Sequence, residues 1–252
     1  MKKVLCCFFF LPFGLLAQIN ESDTIKLKAD LSLTGFLQGG NVQTVIFRAK
    51  TEVSYKPWKR WVFKNRNSYV YQEFGREKAD EDILSLNFLY LNPDRKIYPL
   101  LLGFVSTNFR REIDLRYLFG LGVTFQVLNK KDNWLKFSIS SEYENTDFGS
   151  ADFNRSTFDG KRSINTFRGT IWANGRYHLF KKKLIITHES YFQPSLEKSI
   201  NFRWQADVGL EVPVWKFLNF KVNYLQTFES IVVEDQNEED RFLTFGFTIK
   251  SY

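Results

Sequence analysis

From about residue 25 to the C-terminus the chain alternates apolar and polar positions with a period of two, which puts opposite chemistry on the two faces of an extended strand. Between Leu115 and Val127, the residues Leu115, Tyr117, Phe119, Leu121, Val123, Phe125 and Val127 share one face. Arg116, Gly120, Gly122, Thr124 and Gln126 share the other. Val45, Phe47, Ala49, Thr51, Val53 and Tyr55 alternate in the same way with Arg48, Lys50, Glu52 and Ser54, and Leu135 to Tyr143 and Phe202 to Val212 repeat the pattern. Helical periodicity is nowhere comparably sustained.

The alternation predicts twelve strands, at 25–38, 42–56, 60–71, 83–91, 97–107, 115–128, 134–144, 163–179, 184–193, 201–212, 217–229 and 241–250. Tight turns at 56–59, 92–96, 129–133, 180–183 and 213–216 are interleaved with polar stretches at 72–82, 108–114, 145–162, 194–200 and 230–240. Gly39, Gly40 and Asn41 form the one short member of the second set. An even number of strands joined alternately by short turns and longer loops predicts an all-β fold, an up-and-down antiparallel transmembrane β-barrel. Most segments reach the roughly 9–11 residues that a tilted strand needs to cross a bilayer, whereas strands of soluble sheets are nearer 5–6.

Composition sharpens this picture. The chain has 252 residues, of which 27 Phe, 11 Tyr and 6 Trp make 17%, against one Met. Tyr55, Trp58, Trp61, Tyr98, Trp134, Tyr177, Phe180, Trp215 and Phe217 gather beside the short turns, where an interfacial aromatic girdle is expected. The net charge of +7 comes from 35 basic and 28 acidic residues mixed along the chain, not from a basic stripe, so it does not point to nucleic acid.

Lys2 and Lys3, the apolar run Val4 to Leu16 and the small Ala17 read as a secretory signal peptide over 1–17, with the barrel over 18–252. Cys6 and Cys7 both fall inside that leader, so the mature chain is expected to lack disulfides, thiolate metal sites and cysteine nucleophiles. The C-terminal strand ends in Phe245, Phe247 and Tyr252, and such an amphipathic, aromatic end looks like the signal through which barrel-assembly machinery engages an edge strand.

Thr34 to Thr44, with Gly39, Gly40 and Asn41, and the run with Arg116, Gly120 and Gly122 resemble two markers of the salt-induced outer-membrane protein family of unknown function. The resemblance implies a barrel in a Gram-negative outer membrane and supplies no catalytic residues. Expected partners are outer-membrane lipids and lipopolysaccharide, with both termini in the periplasm, a monomer favoured, and neither cofactor nor metal.

Three kinds of function remain. If the polar face lines a lumen, Arg48, Lys50, Glu52, Lys64, Arg66, Arg116, Arg168, Arg176, Arg203, Asp207 and Glu211 make it charged and net positive. Twelve strands lie between filled and water-conducting barrels. The expectation is a structural barrel whose charges pair into a polar plug, or else a narrow passive pore. A hydrolase is the alternative: His188 and Ser190 share a parity and Asn201 opens the next strand, which resembles the catalytic residues of outer-membrane phospholipase A. The Asn-Gly pair that follows the serine in that enzyme is here Tyr191 and Phe192. A secreted soluble β-protein is the third. The acidic runs at 73–82 and 234–240 read as solvated loops, and the second lacks the central Gly and ligand spacing of a calcium loop.

Overall fold

The computed structural model describes residues 20–22, 26–39, 43–130 and 132–250. The leader expected over 1–17, Gly40, Asn41 and Tyr252 lie outside the described residues. Twelve strands alternate in direction along the chain: β1 (Leu27–Gln38), β2 (Thr44–Trp58), β3 (Trp61–Phe74), β4 (Glu77–Leu91), β5 (Ile97–Asn108) and β6 (Ile113–Asn129), then β7 (Trp134–Phe148), β8 (Ser163–Leu179), β9 (Leu184–Pro194), β10 (Phe202–Trp215), β11 (Leu218–Glu229) and β12 (Glu239–Lys250). Each pairs antiparallel with its sequence neighbours, and β1 pairs with β12, so the sheet closes into a barrel without a free edge. The all-β transmembrane barrel read from the alternation is the fold observed.

The period-two pattern sets the register of each strand. On β6, Phe119 and Leu121 point outward and are about two-thirds exposed, while Arg116, Leu118 and Thr124 are buried inside. Gly120 is required on that inner face because a Cβ there would stand 2.3 Å from the Ser141 carbonyl oxygen on β7.

Three details depart from the sequence reading. The stretch 72–82 is not a long loop: β3 and β4 run on into a hairpin closed by Gly75 and Arg76, with φ of 61° and 72°. Two consecutive positive φ values match the twist of the flanking strands, which is why such a turn can be so short. Tyr98 and Trp134 do not join the aromatic girdle. Both are almost fully buried inside the barrel, whereas Trp58, Phe180 and Trp215 are exposed beside the short turns. Finally, the inner faces of β4 and β5 are apolar: Leu84, Leu86, Phe88, Tyr90, Tyr98, Leu100, Leu102 and Phe104 point into the barrel.

Candidate functional site

The lumen is built in three layers. At the short-turn end, Val62, Phe88, Tyr90, Tyr98, Leu100, Leu102 and Leu118 pack into an apolar cluster. Asn20, Glu21 and Ser22, which precede β1, enter the same space. The Glu21 carboxylate lies 2.9 Å from Lys136 Nζ and 3.7 Å from Lys64 Nζ, and accepts the Tyr98 hydroxyl at 2.6 Å. Lys136 also donates to Asn20 Oδ1 at 2.6 Å, and the Ser22 hydroxyl is 3.0 Å from Gln126 Oε1. Burial by itself would raise the Glu21 pKa, but the two ammonium groups and the tyrosine hydroxyl pull it down to about 2. Asn20, Glu21 and Ser22 are thus held inside this end of the barrel by a buried ionic cluster.

In the middle layer the charges pair across the barrel. Arg66 grips Glu189 with both Nη atoms, at 2.6 Å for Nη1, and Arg48 and Lys50 share Asp207. These partners are more than a hundred residues apart in sequence. A cavity of about 140 Å³ remains between them. Leu84, Leu86, Leu102, Phe104, Leu118 and Trp172 form one part of its wall, and Arg48, Lys50, Arg66, Glu189 and Asp207 another.

The layer at the long-loop end is richer in guanidinium groups. Arg116 binds Glu229 through two 2.7 Å bonds, Arg111 bridges Glu229 at 3.0 Å and Asp240 at 2.8 Å, and Arg110 reaches Asp240 at 2.6 Å. Glu144 takes Arg168 at 2.9 Å and also Arg203. Above them the loop between β7 and β8 crosses to the loop between β11 and β12. Phe153 bridges Val233, and Ile113, Phe148, Phe153, Phe158, Ile164, Ile231 and Val233 form a second apolar cluster over the mouth.

The structure gathers the expected luminal charges on the inner face, with Arg176 3.8 Å from Glu211 and Lys64 2.7 Å from Glu52. It also supplies acids that alternation set aside. Glu21 precedes the first strand, Glu189 lies between His188 and Ser190, and Glu229 and Asp240 border the loop between β11 and β12. The expected positive excess is thereby offset locally, pair by pair. Their only sequence signal is inward parity: Glu189 shares it with Thr187 and Gln193, both buried.

His188 and Ser190 face outward. His188 stacks on Tyr177 with ring centroids 5.7 Å apart and lies 3.2 Å from its hydroxyl. Asn201 is not brought to them. It accepts from Arg168 Nη2 at 2.9 Å, while His188 is opposite Val208, seven residues beyond Asn201 on the neighbouring strand and thus roughly 23 Å away at the rise of a strand. Among the described residues no cluster of His, Cys, Asp and Glu has the arrangement of a metal site.

A family model described as "Protein of unknown function, DUF481" matches residues 23–250. No curated protein matches the sequence. Among solved structures, the NanC porin superposes with a TM-score of 0.52 at 11% identity, over 89% of this chain and 99% of that one. The translocator domain of the autotransporter NalP from Neisseria meningitidis gives 0.45 at 10% identity, over 90% of this chain and 87% of that one. The likeness to the porin is one of fold, a closed outer-membrane barrel.

Proposed function

The chain belongs to the DUF481 family, known as salt-induced outer-membrane proteins, and from that premise we propose that it is a structural barrel whose lumen is closed at rest. The observation that carries this reading is Glu21, almost fully buried between Lys64, Lys136 and Tyr98. The pairing of charges across the middle layer supports it further, because side chains tied to each other across a lumen fill part of its cross-section. Purified protein in planar lipid bilayers is expected to be silent at neutral pH. A steady conductance of the unaltered protein would overturn the reading.

A narrow, weakly anion-selective pore is the second reading, favoured by the outer chamber, where Arg48, Arg111, Arg116 and Arg203 share one cavity. In that case the wild-type protein conducts, and its reversal potential in a salt gradient shifts toward the anion.

A further inference from the structure

The lipid-facing side of β2, β3 and β4 breaks the apolar rule of the belt. Thr51, Asn67 and Ser85 lie side by side in one row of the sheet, and Asn65, Asn87 and Gly103 in the next. The side chains form a ladder: Asn67 Nδ2 donates to Asn65 Oδ1 at 2.7 Å and to Thr51 Oγ1 at 3.3 Å, Asn65 Nδ2 to Asn87 Oδ1 at 2.9 Å, and Asn87 Nδ2 to Ser85 Oγ at 3.3 Å. Asn65 is four residues from Trp61 and four from Tyr69 on the same face of β3. At a strand rise of about 3.3 Å and a tilt of about 40°, it is some 10 Å from either aromatic level, near the middle of the roughly 25 Å apolar band. The outward amides Asn145 and Asn165 differ, because they sit beside the outer loop, where headgroups and water reach.

Acyl chains offer no hydrogen bonds, so polar groups at this depth must find partners in protein. The ladder satisfies only part of its own capacity. A primary amide has two donor hydrogens and an oxygen that accepts twice, and the Thr51 and Ser85 hydroxyls each bring a further donor. Gly103 adds no side chain, and nothing stands within 4 Å of where its Cβ would be, so the surface beside Asn87 is open and shallow. Phe63, Ile83, Leu101 and Val105 surround the ladder and are all 39–52% exposed.

We propose that this face is a two-fold interface with a second copy of the same chain, in which the Asn65–Asn67–Asn87 ladders of the two barrels hydrogen-bond to each other side by side, at the level of the membrane midplane. A second copy fits for two reasons. Every barrel inserted in the same orientation presents its ladder at the same depth, and amides are both donors and acceptors, so the patch is complementary to itself under a two-fold rotation. The interface is independent of whether the lumen conducts.

The test is a Ser85→Cys variant of the full chain, expressed in outer membranes and treated with a mild oxidant. A disulfide-linked homodimer is expected on non-reducing gels. Adding Asn65→Leu and Asn87→Leu should reduce that product at least fivefold while the heat-modifiable folded band persists, since apolar residues are well tolerated on the lipid face. As a second measurement, native mass spectrometry of the unaltered protein in mild detergent should show a dimer, and the Asn65→Leu/Asn87→Leu variant a monomer. A monomer from the unaltered protein, a dimer that survives both leucines, or a disulfide adduct to a different protein each overturns the proposal.

Discussion

Glu21 shows how much one side chain can carry. Removing one partner from a buried ion pair costs about 3–5 kcal/mol, because the remaining charge stays in a poorly solvated place. In a Glu21→Ala variant Lys136, which is 1% exposed, loses its carboxylate, while Lys64 keeps Glu52. The variant is expected to lose its compact, heat-modifiable migration at a distinctly lower temperature than the wild type. The pH dependence follows from the same geometry. The folded pKa of about 2 lies below the ordinary 4.5, so the stabilisation is complete above pH 4.5 and fades as pH falls from there toward 2. Comparing unfolding temperatures of wild type and Glu21→Gln across that range tests this: the gap between them should close on acidification, and a constant gap would show that the carboxylate charge is not what matters. Nothing in the sequence around Glu21 signals this role. It precedes the first strand, outside any alternating run, and its partners come from β3, β5 and β7.

Strands were the most legible level. All twelve were readable because a lipid-facing side and a luminal side impose a period of two over many residues, and most boundaries agree to within a few positions. The reading fails on β4 and β5 for a specific reason. Leu84, Leu86, Phe88, Leu100, Leu102 and Phe104 are apolar yet point inward, where they pack on one another and on Trp172. Parity tells which residues share a face but not which face is the lumen. Across strands, Arg66 on β3 and Glu189 on β9 should behave as a unit. Arg66→Leu alone should destabilise the barrel by about 3–5 kcal/mol, whereas Arg66→Leu combined with Glu189→Leu should recover most of that loss. A double-mutant cycle read by denaturant unfolding in detergent checks it, and additive losses would mean that the two side chains do not stabilise each other.

Considered as one body, the barrel holds residues 20–22 inside its short-turn end, and at the other end two loops pair through Phe153 and Val233. If the N-terminal segment is what closes the short-turn end, deleting residues 18–22 should convert a silent protein into one with measurable, small conductance in planar bilayers. A deletion variant that folds and stays silent would mean that the paired side chains of the middle layer suffice to block the lumen. The amino-acid sequence by itself determined the strands and their number, because the membrane imposes a local rule that each strand obeys on its own. It could not determine which charges meet. Arg48 and Asp207, Arg66 and Glu189, and Glu21 and Lys136 are separated by more than a hundred positions, and their pairing depends on how the closed sheet brings distant strands face to face. Only the tertiary structure decided those meetings, because the inner faces of distant strands come together only once the sheet has closed.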